Sequence, residues 1–534
     1  MAQVDAVVVG AGFSGLYMLH RLRAQGLTAR VIEAGTGVGG TWYWNRYPGA
    51  RVDIESQEYS YSFSPELDAE WVWSERYATQ PELLRYLNHV ADRFDLRRDI
   101  QLETRVTAAR FDEQANSWTV ETDAGEAISA RYVVMATGCL SVANAPAFEG
   151  AGSFKGKSWH TSDWPRDGVD FSGQRVAVIG TGSSAIQSIP IIAEQAAQVT
   201  VFQRTPNFSV PAYNGPVDPA VAADWAENRA QRRAEARETG FGILMVDTRE
   251  ALALEDTPEA RQAEYERRWK IGGFALLGAY ADLTADVAAN KTAAEFVHGK
   301  IREIVKNPET AEKLSPKSFP IGSKRLCVDT GYYATFNRDN VRLVDLKEEP
   351  LEAITPKGVR TAAGEYEADA IVYATGFDAM TGALSRIDIR GRGGAALSDA
   401  WAEGPRTYLG LTVAGFPNLF LVTGPGSPSV LCNMAVAIEQ HVDWISDCIA
   451  WMGERQLSAI EATAQAQDAW VEHVNEVAAP TVFPLANSWY MGANVEGKPR
   501  VFMPYIGGFP AYRDKCNEVA ASGYADFALA SDAR

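Results

Sequence analysis

The sequence predicts an α/β protein built from two Rossmann-like dinucleotide-binding domains with a helical insertion. Three observations carry this expectation. A glycine-rich loop opens the chain at Gly10, and a second one opens at Gly180. Between about 215 and 320 the chain is dense in Ala, Glu, Arg and Lys and poor in strand-forming runs. The 534 residues are enough for two or three domains with well-buried cores.

The first loop comes in full βαβ context. Val7-Val8-Val9 is a β-branched run suited to a buried parallel strand. Gly10, Gly12 and Gly15 follow in GxGxxG order, leading through Phe13 and Ser14 into a helix with Leu16, Leu19 and Leu22 on one face. A second strand, 29–32, ends in Glu33. Gly10 permits the tight turn, Gly12 lets backbone approach a pyrophosphate, and Gly15 lets helix and strand pack closely. The helix start offers free N–H groups and the positive end of its dipole. Glu33 suits ribose hydroxyls and repels a 2′-phosphate, so this loop favours FAD or NAD over NADP.

The second loop repeats the plan with different chemistry. A strand at 176–179 leads to Gly180-Thr181-Gly182, a helix from Ser183 to about Ala193, and a strand at 199–202. Ala185 takes the third small position, and Gln203-Arg204 stands where the first loop has Glu33. The repelling carboxylate is gone and a guanidinium can grip a phosphate, so NADPH is expected here. Two Ala-Thr-Gly tripeptides, 136–138 and 374–376, each follow an apolar strand and mark chain crossings between the domains. The expected division is an FAD-binding domain over 1–139 and 376–534 and an NADPH-binding domain over 140–375. The insertion at 215–320 would form one wall of a substrate cavity, and ADWAENRAQRRAEARE within it reads as a solvated helix. A flavin site beside an NADPH site describes hydride transfer from nicotinamide to flavin.

Composition narrows the remaining choices. A formal charge of −18 argues against a nucleic-acid partner. The cysteines, Cys139, Cys327, Cys432, Cys448 and Cys516, are odd in number and lack CxxC spacing. That leaves no expected disulfide framework, metal site or redox dithiol, and it suits the cytoplasm. The chain enters an apolar strand at once, so no signal peptide is expected. No run reaches the roughly 18–20 apolar residues of a membrane span. Without a cysteine pair, the reduced flavin has two outlets, an external acceptor or dioxygen.

The stretch FKGKSWHTSDWP, 154–165, bears on that choice. Phe154, Gly156, His160, Trp164 and Pro165 fit F-x-G-x-x-x-H-x-x-x-W-P. With GGTWYWNRYPGARVDIES (39–56), FQRTP, KRLCVDTGYY (324–333), GPGSPSVLCNM (424–434) and NSWYMGANVEGKPR (487–500), the chain resembles the type I Baeyer–Villiger monooxygenases. The resemblance runs to about residue 515, and the GPGSPS form is closer to the phenylacetone, steroid and acetone branch. It implies oxygen insertion beside a ketone carbonyl, through a C4a-peroxyflavin, to give an ester or lactone. N- or S-oxygenation of the related flavin monooxygenases is the first alternative, and a non-catalytic NADPH sensor the second.

The resemblance also implies roles. Arg325 would keep the peroxide anionic, since a unit charge about 4 Å away is worth about 4 kcal/mol at an effective dielectric near 20. Asp53 would pair with and orient it. Gly40, Thr41, Trp42, Asp53, Tyr59, Val106 and Met434 would join the first loop around FAD. Thr181, Gly182, Ser183, Ser184, Gln187, Arg204, Thr205, Lys324, Arg325 and Trp489 would hold NADP, with Lys324 and Arg204 on the 2′-phosphate. Ser429, Leu431, Met434 and Trp489 would line the ketone pocket, and 487–500 would act as a lid that excludes water. His160 and Trp164 would form a control element linking the domains rather than a proton carrier. The expected partners are a ketone and O2, with no nucleic acid and no membrane, in a monomer or weak homo-oligomer.

Overall fold

A computed structural model describes residues 2–531. The first sheet is seeded by the β-branched runs. β1 (Ala2–Val9) runs parallel to β2 (Ala29–Ile32) on one side, and β2 to β3 (Ile100–Gln101). β4 (Val106–Asp112), β5 (Ser117–Thr122) and β6 (Ala127–Met135) form an antiparallel meander, and β6 returns parallel to β1. Two strands from far downstream, Asp388–Arg390 and Leu419–Leu421, complete this sheet against β4 and β6. Val7, Val8 and Ile32 are buried, as befits parallel strands covered on both faces. α1 (Phe13–Ala24) packs on helix Met434–Glu454, and the Tyr17 hydroxyl donates to Asp443 at 2.6 Å.

The second sheet is wholly parallel. Its order is Val341–Asp345, β9 (Gln198–Gln203), β8 (Arg175–Ile179), Ala370–Tyr373, then β7 (Lys157–His160). Helix Ser183–Gln195 links β8 to β9. The stretch at 154–165 is therefore more than a linker between domains. Its first half is an edge strand, with Tyr373 and His160 in register. Gly156 marks the start of that short strand, and Pro165 lies five residues beyond its end.

Between the strands at Ser209–Pro211 and Cys327–Asp329 lie helices Pro219–Arg237, Pro258–Ile271, Val287–Ile304 and Pro308–Leu314. The first of them is not simply solvated. Trp225, Arg233 and Ala236 are buried, and Arg233 reaches Asp68 through two hydrogen bonds of 2.9 and 3.2 Å. The insertion is thus riveted to the segment that follows Asp53.

Candidate active site

The two loops have closely matched backbones. Gly10 adopts φ +104°, and a Cβ there would lie 2.6 Å from the Ala136 carbonyl oxygen. Gly180 adopts φ +116°, and a Cβ would lie 2.3 Å from the Ala374 carbonyl oxygen. Each Ala-Thr-Gly tripeptide therefore sits behind the first glycine of one loop, and no side chain fits at either glycine. α1 and helix Ser183–Gln195 both start from a glycine with no side-chain cap and no acid in the first turn. Their terminal N–H groups are left for an anion.

Around the first loop the residues fit FAD. Glu33 is buried and accepts the Ala11 N–H at 2.8 Å and the Gly35 N–H at 2.7 Å, one on each oxygen. Each oxygen keeps room for another donor, which suits a vicinal diol. The 39–42 turn lies over Gly12, with the Gly39 N–H on Ala11 at 2.9 Å. A Cβ on Gly12 would stand 3.2 Å from the Gly40 Cα. Phe13 and Ser14 are buried at the helix start. Thr41 is exposed, Trp42 is buried, and both Trp42 and Phe13 meet Tyr59 edge-on, at 5.8 and 5.4 Å between centroids. Val106 is buried at the head of β4, and Met434 is half-buried at the head of its helix.

Around the second loop the residues fit a phosphorylated dinucleotide. Arg204 is exposed at the end of β9 and makes no ion pair among the described residues. Lys324 lies over Phe319 at 4.4 Å, with no carboxylate beside it. Burial, then the charges of Arg204 and Lys347, push its pKa down to about 8. Three cations with no ion-pair partner among the described residues suit a dianion, and sequence reasoning missed Lys347, the third. Asp345 pairs in register with Gln203, and that register carries Lys347 to the end of β9. The Thr181 hydroxyl donates to the Thr205 carbonyl at 2.8 Å, and Ser183 meets Cys327 at 3.2 Å. Ser184 bonds Tyr47. Gln187 accepts from Tyr47 at 2.9 Å and donates to the Arg51 carbonyl at 3.1 Å, so its amide joins this helix to the segment leading into Asp53. Gln203 is fully buried and donates to the Lys313 carbonyl at 2.7 Å.

Asp53 and Arg325, 272 residues apart, meet in a bidentate pair at 2.9 and 2.7 Å. The guanidinium also donates to the Val430 carbonyl at 2.9 Å and lies over the Phe274 ring at 4.6 Å. Burial opposes its charge, but Asp53 outweighs burial and raises the pKa above the usual arginine value. The Val430 carbonyl belongs to a short turn, Ser429–Leu431, in which Ser429 has φ +40°. Leu431 and half-buried Met434 pack in one cluster with Cys139, Trp489 and Tyr490. Phe274, from the insertion, and Tyr490, beside Trp489, were not foreseen.

His160 lies at the chain crossing. Its Nδ1 accepts the Ser162 N–H at 3.1 Å, which leaves Nε2 to donate to Thr375 at 3.2 Å. The Thr375 hydroxyl in turn donates to the Asn144 carbonyl at 2.6 Å. Burial lowers the His160 pKa and favours the neutral ring. Trp164 is buried against Trp159 and Phe171.

Comparison with known proteins agrees with this geometry. The pyridine nucleotide-disulphide oxidoreductase family matches residues 7–245. A Baeyer–Villiger monooxygenase of Pseudooceanicola batsensis is 43% identical over 98% of this chain and 96% of its own. A phenazine N-monooxygenase of Lysobacter antibioticus is 43% identical over 99% of this chain and 97% of its own. The solved structure of an oxidized steroid monooxygenase bound to NADP is 55% identical, with a TM-score of 0.95, covering 99% of this chain and 100% of that one.

Proposed function

This chain belongs to the type I Baeyer–Villiger monooxygenases, and on that premise we propose that Arg325 and Asp53 are the residues that make its site competent for oxygen insertion. The enzyme takes FAD and NADPH and inserts one oxygen atom from O2 beside a ketone carbonyl, giving an ester or lactone. FAD, when bound, supplies the chemistry that takes electrons from NADPH and delivers them to oxygen.

The observation that carries the assignment is the bidentate Asp53–Arg325 pair beside the first glycine loop's partners. Arg325 holds a permanent cation where negative charge develops on oxygen, and an arginine keeps its proton throughout. Asp53 sets the plane of the guanidinium and offsets part of its field. Val430 fixes one more N–H, and Phe274 excludes water from one face. Glu33 holds the FAD ribose, with Gly12, Gly40, Thr41, Trp42, Tyr59, Val106 and Met434 along the rest of that cofactor. Arg204, Lys324 and Lys347 grip the 2′-phosphate of NADPH, while Thr181, Gly182, Ser183 and Ser184 meet its other phosphates. Ser429, Leu431, Met434 and Trp489 border the ketone. His160 ties the edge strand to the crossing at Thr375, and Trp164 packs on Trp159 of that strand.

Among the described residues no helix is long and apolar enough to cross a membrane. All five cysteines are free and buried, which supports a reducing, cytoplasmic setting. A monomer or weak homo-oligomer is our reading of the assembly state.

The test supplies NADPH, air and a panel of cyclic, aryl and long-chain ketones beside an amine, with mass detection of one added oxygen. We expect esters or lactones. Oxygen gained by the amine alone would favour the N-oxygenating reading, which the phenazine relative keeps in view. Arg325→Ala should still let NADPH reduce FAD but lose ester formation by at least about 100-fold. Retained ester formation would remove its assigned role.

A further inference from the structure

Three residues other than glycine with left-handed backbone meet around one hydroxyl. Thr423, Ser429 and Met380 have φ of +57°, +40° and +64°. The Ser429 Oγ donates to the Thr423 carbonyl at 3.3 Å and stands 3.9 Å from the Met380 sulfur. Such backbone is uncommon outside glycine, and a β-branched threonine tolerates it least. Strain of this kind persists where the surrounding structure imposes it, and it gathers at ligand sites.

Thr423 is held from both sides. Its N–H donates to Nδ1 of His441, on helix Met434–Glu454, at 3.0 Å. His441 is fully buried, and burial pushes its pKa down to about 3, so the ring is neutral and Nδ1 keeps its lone pair. Nε2 has no partner among the described residues. A fold that buries a histidine with one nitrogen unpartnered gives up stability there. What it gains is a fixed Thr423 backbone.

The Thr423 side chain is a second orphan. The residue is 3% exposed, and its Oγ1 has no partner among the described residues. Buried hydroxyls are as a rule hydrogen-bonded, so this one calls for a partner. Its place says which. Strand Leu419–Leu421 runs parallel to β6, and the Val422 N–H donates to the Met135 carbonyl at 3.0 Å. Thr423 therefore follows beside Ala136, the residue whose carbonyl backs Gly10. That is the carboxyl end of the strands, where open α/β sheets bind their ligands. In the other direction, Ser429 links Thr423 to the turn whose Val430 carbonyl takes the Arg325 guanidinium. Thr423 thus stands between the loop that suits the pyrophosphate and the cation assigned to the flavin ring. The part of FAD that joins those two is its ribityl chain, which carries hydroxyls.

We propose that Thr423 is a further FAD-binding residue, whose side-chain hydroxyl pairs with a ribityl hydroxyl, and that His441 and Ser429 are the positioning residues that hold its backbone for that contact. This deepens the FAD reading of the first loop and rests on it. It also ties cofactor to ketone, because the serine that steadies Thr423 belongs to the turn assigned to the ketone border.

The holoenzyme and its Thr423→Val, Thr423→Ser and His441→Leu variants are diluted in series without ketone, and released flavin is read by its fluorescence to give Kd for FAD. Thr423→Val should raise Kd about 3- to 10-fold, the scale of one neutral hydrogen bond. Thr423→Ser keeps the hydroxyl and should stay within about twofold of the parent, below that scale. His441→Leu should raise Kd as far as Thr423→Val, and combining the two should change it little further, since members of one network do not add. Affinity for NADP+, measured by calorimetry, should hold throughout. An unchanged Kd in Thr423→Val overturns the proposal. So does a Thr423→Ser as weak as Thr423→Val, which would make the methyl and not the hydroxyl the useful group. A His441→Leu that binds FAD like the parent removes the positioning role. Should Thr423→Val fail to fold, Thr423→Ala tests the same hydroxyl. A parent that purifies without FAD defeats the reading of the first loop instead. A parent that holds FAD and makes no ester defeats the monooxygenase reading and leaves the flavin-affinity arms to decide Thr423.

Discussion

At the first glycine loop, protein closes over the middle glycine: Gly12 faces the Gly40 turn, and the acid at the strand end, Glu33, is buried. At the second, a Cβ on Gly182 would meet nothing within 4 Å, and the strand-end base, Arg204, is exposed. The two turns differ little in backbone, with positive φ at Gly10 and Gly180 and an alanine carbonyl behind each. What differs is enclosure. A covered site suits a group that stays through many turnovers, and an open one suits a cosubstrate that must arrive and leave. Charge follows the same division. The buried Glu33 satisfies local backbone amides, while the three cations of the open site have no carboxylate partner among the described residues.

Breaking the covered site should have the largest effect. Glu33→Ala removes the acceptor of the ribose and of two backbone N–H groups, and we expect protein purified with little flavin, read from the ratio of flavin to protein absorbance. Full flavin content in that variant would undo the assignment of the first loop. At the open site, Lys324→Ala or Arg204→Ala should raise KM for NADPH about 10- to 100-fold, the cost of a charged hydrogen bond. KM for NADH should barely move. An equal loss for both coenzymes would mean the cations do not read the 2′-phosphate.

Acidity sharpens the contrast further. The charged form of Lys324 binds phosphate, and its pKa in the free protein is about 8. Affinity for NADP+, measured by calorimetry, should be flat below that pH and fall by up to about tenfold per unit above it. Lys324→Arg should flatten the slope, and a parent enzyme without the slope would contradict this environment. The smallest effect concerns Gly182→Ala. The methyl meets no protein atom within 4 Å, so Tm should hold while KM for NADPH rises a few-fold. Gly12→Ala, at 3.2 Å from Gly40, should lower Tm as well.

The two loops were legible because their signal is local. Strand, glycine spacing, helix and terminal residue lie within one short stretch, and each obeys a steric or electrostatic rule. The strand at 157–160 was not legible, since four residues just after a glycine look like a connection until Tyr373 is placed beside His160. The Asp53–Arg325 pair was reached only through resemblance, because nothing local joins residues so distant. Phe274, Lys347 and Tyr490 escaped for the same reason. Each earns its place through tertiary contact, and an aromatic or a lysine in isolation reads as core or surface.

Phe274 gives the insertion a second burden. The residue that stacks on the Arg325 guanidinium at 4.6 Å belongs to the insertion, which we read as one wall of the ketone pocket. Remodelling that wall to admit bulkier ketones would also disturb the reactive cation. Breadth of substrate and speed of turnover are therefore yoked in this scaffold, and libraries built on the insertion should trade one against the other unless position 274 is kept aromatic.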